Sequence, residues 1–532
     1  MAISRQQCRD ETESGLQACS FLFFAGWLAG RLNWFSLSFN SFQTFFFHMR
    51  ILPFTARRLA LLYFIFLLPF SLSAQDVLLI YNARIVDVVT GKLKPEQAIL
   101  VQDQKIKAIG SYHTLRKGVP HALLLDAKKK YIIPGLWDMH IHLEGQTLVE
   151  DNRVLLPMFF AFGITTVRDC ASDLGETVLK WRDSINRGEI FGPTLFTAGL
   201  KLEGKNSIWK GDLEIANEEE LNQMLNKLDS LHPDFIKITE NTLHGDLFLK
   251  SITESHKRGY LVSGHVPLDL TIEEMLDAGF SSVEHASYLL RLGYDEADIV
   301  QQLKAGKMTN AEANKIYQGL FNQQKADAGF KRLGAKGLYV TPTYIGGRQL
   351  AFLDSNNHMR DSMMTKYLTK AYTSNYQWRI DRMKNETADQ KAERKARYKL
   401  NTSQLIHMQQ AGITILAGSD EAALNTFVYP GESLIDELHI FQEAGMKPID
   451  ILRSATINGA RFLKKEKQVG SIDVGKNADL VLLDENPLVN IHAVTKIRGV
   501  YTRGRWLNRK ALDDILWQVK QAKQRLDNSR EK

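Results

Sequence analysis

Only three cysteines occur in 532 residues, and two of them, Cys8 and Cys19, fall within the first 74 positions. Beyond those positions Cys170 stands alone, which excludes an internal disulfide framework. No apolar run outside the leader region suggests a membrane span, which needs about 20 residues. No long basic run precedes the last stretch, and a net charge of +7 from 67 basic and 60 acidic side chains is too diffuse to argue for nucleic acid. No Gly-x-Gly-x-x-Gly follows a strand-like run, and no phosphate-binding P-loop or His-Glu-x-x-His is found, which disfavours an oxidoreductase. Gly-x-Ser-x-Gly is missing too, which disfavours a serine hydrolase. What is present is ordinary for a globular enzyme: 44% hydrophobic and 24% charged residues, a mean hydropathy of −0.22, and enough length for more than one domain.

The first 74 residues differ from the rest, being rich in Phe, Ser and Leu with six basic and three acidic side chains. From Met49 a secretory pattern is legible. Arg50, Arg57 and Arg58 precede the apolar stretch 59–70, and Ser71, Leu72, Ser73 and Ala74 offer small residues for cleavage. The expectation is a signal peptide over 49–74, a mis-assigned extension over 1–48, and a protein delivered to the periplasm or secreted, with no stable membrane insertion once the signal is removed. The alternative is a second membrane-associating segment, since 21–28 and 45–47 are also apolar.

Residues 77–133 alternate β-branched runs with turns, predicting three or four strands and no helix. From Pro134 the period changes. Eight strand-like runs, at 132–142, 164–167, 194–198, 235–239, 261–265, 282–285, 338–341 and 413–417, recur between helix-like stretches such as 218–231, 247–258 and 272–278. This is the pattern of an α/β protein with a (β/α)₈ TIM barrel. Short strands return in 468–510, so the expected organisation is a small β-sandwich domain built from both chain ends, 75–133 and 468–510, around a barrel at 134–467, followed by a charged helix at 511–532. The polar, helix-like span 345–402, with Tyr367, Tyr372, Tyr376 and Trp378, reads either as a lid over the barrel mouth or as a solvated insertion.

His140-Ile141-His142 places two imidazoles on one face of an extended strand, because side chains two apart point the same way. Two neutral ring nitrogens so placed can share one ion. A single histidine is more often packed or exposed than a ligand, but His265 and His285 also end predicted strands, Asp420 follows the eighth, and Lys237 lies near the end of the fourth. In a parallel barrel these ends meet at one face. Asp138, Arg168 and Asp169, at strand ends as well, read as supports behind the ligands. His232, His407 and His439 read as exposed.

These residues sit in stretches that together resemble the amidohydrolase superfamily, and within it the imidazolonepropionase-like and Xaa-Pro-dipeptidase-like metal-dependent hydrolases. The matching stretches are Ile-Pro-Gly-Leu-Trp-Asp-Met-His-Ile-His at 133–142, Gly-Ile-Thr-Thr-Val-Arg-Asp at 163–169, Asp-Phe-Ile-Lys-Ile at 234–238, Gly264-His265, Val-Glu-His-Ala at 283–286, Ala-Gly-Ser-Asp at 417–420, and Gly470-Ser471-Ile472 with Gly-Lys-Asn-Ala-Asp-Leu-Val at 475–481. The resemblance implies two divalent metal ions, with zinc the ion expected for N/O ligands. It also implies that His140, His142 and Asp420 hold one ion, that His265 and His285 hold the other, and that a carboxylated Lys237, formed by addition of CO₂ to the neutral amine, bridges them. A bridging hydroxide then attacks the substrate carbonyl, with Asp420 as general base and acid. Lys237 could instead pair with a nearby carboxylate. In dipeptidase-like relatives the fifth-strand histidine is followed by Ala-Tyr, and that tyrosine helps to bind the substrate carboxylate. Here Val266 and Pro267 follow His265, which puts a prolyl dipeptide in doubt; Tyr288, Tyr344 and Arg348 could line the pocket.

The function expected is hydrolysis of a C–N bond in an amide, peptide-like or cyclic amide substrate, a small or dipeptide-like molecule, by a chain that could form a homo-oligomer. Two alternatives stay open at this point. The same site could hydrolyse a lactone or phosphoester, or a non-catalytic barrel could serve as a binding or assembly module.

Overall fold

Strand register and partner choice in this chain follow from where its β-branched runs meet their turns. The computed structural model describes residues 77–532, so the expected leader segments at 1–48 and 49–74 lie outside the described residues. Five strands open the described chain: β1 (Leu78–Val86), β2 (Leu93–Gln102), β3 (Lys105–Gly110), β4 (Leu123–Asp126) and β5 (Tyr131–Pro134). Ten short strands follow: β6 (Leu136–Ile141), β7 (Ile164–Asp169), β8 (Thr194–Thr197), β9 (Leu202–Gly204), β10 (Leu213–Ile215), β11 (Ile236–Ile238), β12 (Val262–Gly264), β13 (Ser282–Glu284), β14 (Tyr339–Thr341) and β15 (Thr414–Ile415). Three more, β16 (Leu480–Leu483), β17 (Ile497–Thr502) and β18 (Arg505–Asn508), precede a helix over Arg509–Arg530.

The two ends of the described chain share one eight-stranded sheet in the order β18-β17-β16-β5-β1-β2-β3, with β4 beside β1. Its central seam is antiparallel, with Ile133 of β5 opposite Val481 of β16. Alternate residues such as Ile80, Ile99, Val101, Ile132, Leu480 and Leu482 form one buried cluster, as period-two side chains on a single face must. The expectation of no helix before residue 133 is corrected: Tyr112–Gly118 is helical, because the Ser111 hydroxyl caps it by accepting from Thr114 N.

The run expected as one strand over 132–142 is two. Gly135 N still donates to Asp479 O, on the first sheet's side, at 2.8 Å, whereas Leu136 N donates to Gly163 O at 2.9 Å. The chain changes sheets between consecutive residues. From there the strands are parallel, β6-β7-β8 in one sheet and β10-β9-β11-β12-β13-β14-β15 in another, and β9 and β10 are strands the hydrophobic pattern did not mark. Backbone hydrogen bonds cross from one parallel sheet to the other at two places, beside β11 from Asp234 N to Thr197 O at 2.9 Å and beyond β15 from Met139 N to Ala417 O at 2.8 Å. The strands are near-continuously apolar and buried because helices cover them, as Val262, Val283 and Val340 illustrate at 0% exposure.

The span 345–402 folds into helices that include Lys370–Ser374, Gln377–Met383 and Ala388–Gln410. It is no solvated appendage. Tyr372 and Tyr376 are buried in a cluster with Leu148, Phe427 and Val519, and Trp378 Nε1 donates to Leu424 O at 3.2 Å. The final helix joins the same cluster and is tied down where Arg530 Nη1 meets Asp151 Oδ1 at 2.8 Å and Asp527 Oδ1 accepts from Lys370 N at 2.9 Å.

Close approach of strands fixes one glycine. A Cβ on Gly264 would sit 1.9 Å from Ile238 O, so β11 and β12 can pair only with glycine there. Gly264→Ala is therefore expected to destabilise the fold by about 3 kcal/mol or more. Gly110→Ala, whose Cβ meets nothing within 4 Å, should cost less than about 0.5 kcal/mol. Urea unfolding followed by circular dichroism compares the two, and equal midpoints would contradict this account of the seam.

Candidate metal centre

Period-two alternation on β6 sends His140 and His142 to the same side, and the neighbouring strand ends bring four more candidate groups beside them. The two Nε2 atoms lie 3.2 Å apart. Asp420 Oδ1, on the turn after β15, is 3.3 Å from His140 Nε2 and 3.4 Å from His142 Nε2. His285, following β13, has its ring 5.0 Å from that of His140 and 5.0 Å from that of His265, which follows β12. Potential ligand atoms of His140, His285 and Asp420 all fall within 4.8 Å of one another. Lys237 on β11 lines the same cavity of about 470 Å³ as His142, His265, His285 and Asp420. The structure thus brings together all six residues singled out from the sequence.

Each imidazole is anchored through its other nitrogen. His142 Nδ1 donates to Ala171 O at 2.8 Å, since a carbonyl only accepts, and this turns Nε2 toward Asp420 and the cavity. His140 Nδ1 meets Glu284 Oε2 at 2.8 Å, His265 Nδ1 meets Glu240 Oε2 at 2.7 Å, and His285 Nδ1 meets Thr343 Oγ1 at 2.7 Å. The sequence reading did not single out Glu240 or Glu284. Tyr288 adds its hydroxyl to Glu240 Oε1 at 2.5 Å. Tyr344 is fully buried with its hydroxyl on Asn401 O, and Arg348 pairs with Glu443 at 2.9 Å, so neither reaches the cavity.

The three residues read as supports are all buried behind the ligands. Asp138 accepts from His140 N at 3.2 Å, from Ser419 N at 3.0 Å and from Ser419 Oγ at 2.6 Å, which pins the turn bearing Asp420 to β6. Gly418 makes this approach possible, since a Cβ there would lie 2.8 Å from the His140 backbone nitrogen. Asp169 accepts from Leu143 N at 3.0 Å and Thr197 Oγ1 at 2.6 Å. Arg168 donates through Nη2 to both oxygens of Glu284 at 2.8 Å and through Nε to Met139 O at 2.5 Å, with Phe235 and Phe462 against its guanidinium.

The charge states suit cation binding. Burial lowers His140 to about 4 against the opposing pull of Asp420, and burial likewise holds His285 well below its usual value, so both are neutral ligands. Burial would raise Asp420, but the surrounding histidines, His140 foremost, hold it well below the usual carboxylate range. Burial also lowers Lys237, which is 1% exposed and whose Nζ has no hydrogen-bond partner. The alternative that Lys237 simply pairs with a carboxylate is therefore not what the structure shows. Four anchored imidazoles, an ionised carboxylate and an unsatisfied amine fit divalent metal better than a dry core, where an orphaned buried amine costs several kcal/mol.

Removing one member of a buried ion pair strands the other. Arg168→Leu should destabilise the protein by about 3–5 kcal/mol, read from urea unfolding, and Glu284→Leu with Arg168→Leu together should cost less than the single change. Equal or additive losses would show that Glu284 does not depend on the arginine.

The amidohydrolase family model matches residues 131–507. Among curated relatives, imidazolonepropionase from Shouchella clausii is 33% identical over 106 residues, 18% of this chain and 22% of that protein. The chain spans less than two-fifths of the length of the curated relatives it matches first. Among solved structures, the bottromycin amidohydrolase superposes with a TM-score of 0.64 at 18% identity, over 84% of this chain and 91% of that one. A Xaa-Pro dipeptidase with methionine bound in its active site gives 0.58 at 18% identity, over 81% of this chain and 100% of that one. These neighbours make the fold a TIM-barrel-like α/β domain, and with the family model spanning most of the described residues, the chain belongs to the amidohydrolase family.

Proposed function

We propose that the protein is a metal-dependent hydrolase of carbon–nitrogen bonds, acting on an amide, a peptide-like amide or a cyclic amide. One observation carries the reading: four anchored imidazoles, an ionised Asp420 and the unpartnered Lys237 amine cluster together, and all of them but the fully buried His140 line one cavity. His140, His142 and Asp420 would hold one divalent ion and His265 and His285 a second, zinc being the ion that suits this donor set. Bound there, the ions would supply Lewis acidity to the substrate carbonyl and make the attacking water more acidic.

Lys237 serves as a ligand only after it loses its positive charge. Burial among apolar strands favours its free amine. That amine would add CO₂ and release a proton, leaving a carbamate anion able to serve as a ligand. Asp420 does the proton work. Its Oδ2 accepts from Asn425 Nδ2 at 2.8 Å, which orients the carboxylate, while Oδ1 faces the histidines. The carboxylate takes a proton from the attacking water and returns it to the leaving nitrogen. The water oxygen ends on the acyl carbon, the C–N bond breaks, and a carboxylic acid and an amine result. Glu284 and Asp138 act through His140 and the Asp420 turn, holding both in place.

On this proposal the parallel strands β6, β7, β8 and β11 to β15 close into an eight-stranded barrel, and the mixed sheet is a small β-sandwich. The backbone hydrogen bonds that link β8 to the segment before β11, and β6 to the segment after β15, support closure of the barrel.

Purified protein reconstituted with zinc is expected to hold about two equivalents and to hydrolyse members of a panel of N-acyl amino acids, dipeptides and cyclic amides. Asp420→Asn should lower kcat by about 10²–10⁴-fold. After equilibration with ¹³C-bicarbonate, the wild type should show a carbamate carbon signal that Lys237→Ala lacks. Undiminished hydrolysis in His140→Ala or Asp420→Asn would overturn the mechanism.

A further inference from the structure

Arg379, in the helix Gln377–Met383 of the 345–402 insertion, lines the same cavity as His142, His265 and Asp420. Among the described residues no carboxylate comes within ion-pair distance of it, and its Nε is buried without a hydrogen-bond partner. Its surroundings hold it in place. The guanidinium lies 5.0 Å over the ring of Trp378, whose indole is fixed by Leu424 O on one side and flanked by Arg382 at 4.4 Å. Lys201, which also lines the cavity, is by contrast already taken by Asp212 at 3.4 Å. A rigid, part-buried guanidinium with an unused donor edge is an incomplete interaction, and the group that completes it best is a planar anion accepting two parallel hydrogen bonds.

On this basis we propose that Arg379 determines specificity by binding a carboxylate on the substrate, so that the enzyme takes amides bearing a free carboxylate and discriminates against their neutral counterparts. The proposal rests on the hydrolase reading above for the position of the scissile bond. The cavity, about 470 Å³, is large enough to hold an N-acyl amino acid or a dipeptide with its amide at the histidines and its carboxylate at Arg379. Immediately after His265 the chain offers only Val266 and Pro267, whose side chains donate no hydrogen bond, so Arg379 has no competing receptor for a carboxylate there. The insertion supplies that receptor, and the burial of Tyr372 and Tyr376 fixes the helix bearing it.

The test pairs each N-acyl amino acid and dipeptide with its C-terminal carboxamide, using zinc-loaded full-length protein. The wild type should favour the acid by at least about 100-fold in kcat/KM. In Arg379→Gln that preference should fall to within about threefold, mainly through KM, while Arg379→Lys should keep an intermediate preference because it retains the charge but not the fork. Thermal melts by circular dichroism establish that the variants are folded, and Arg379→Lys carries the test should Arg379→Gln not fold. An unchanged preference in a folded variant, or a wild type indifferent to the carboxamide, overturns the proposal. If no pair is hydrolysed, the hydrolase reading fails by itself. Calorimetric binding of the same pairs then judges Arg379, and acids that bind no tighter than carboxamides overturn its role.

Discussion

The candidate site depends on one buried ion pair. Arg168 and Glu284 are both inaccessible to solvent, and between them they join β7 to β13, reach Met139 on β6 and orient His140. Such a pair is weak evidence for net stability, because desolvating both charges offsets most of their attraction. Its consequence here is geometric. With Glu284 committed to Arg168 and to His140 Nδ1, the imidazole presents Nε2 toward Asp420 and His142. Asp138 repeats the arrangement one layer away, joining the His140 backbone to Ser419 and thereby setting where Asp420 stands.

Around that fixed centre the molecule distributes its tasks by rigidity. Ligand groups come from strand ends, where backbone hydrogen bonds to two neighbours leave little freedom. The residues that face the far side of the cavity come from connections: Trp209 and Lys201 from the segment around β9 and β10, Arg379 from the insertion. The insertion is nevertheless held, since its tyrosines pack into the cluster shared with the final helix. Chain ends contribute indirectly. The mixed sheet is built from both ends of the described chain, and the terminal helix, through Arg530, reaches Asp151 and the carbonyl of Thr147, which lines the cavity.

The histidines and Asp420 were legible because the rules that place them are local. A His-x-His pair on a strand shares a face by simple alternation, and parallel strands collect their ends at one side. Glu284 was not legible for the same reason inverted. Alternation assigns Glu284 and His285 to opposite faces, yet His285 has a φ of +75°, and that bend turns both toward the site. Asp420, with φ of +59°, does likewise after Ser419. Positive φ at a non-glycine residue is uncommon and is held by surrounding structure, so no local pattern announces it. Glu240 escaped notice because its partners His265 and Tyr288 lie on other elements. The division of 132–142 into two strands was hidden because Pro134 and Leu136 are both apolar and buried, although they face different sheets.

By itself, then, the sequence determined the α/β pattern, the strand ends that carry nitrogen and oxygen ligands, and the chemistry those groups can perform, all of which depend on residue type and near-neighbour spacing. Tertiary structure alone decided which nitrogen of each histidine is free, because that depends on partners as remote as Ala171, Glu240, Glu284 and Thr343. It also decided that Lys237 is unpaired and that an arginine from a polar, motif-free helix faces the cavity. Both are properties of enclosure, set by packing between segments hundreds of residues apart, and no window along the chain contains them.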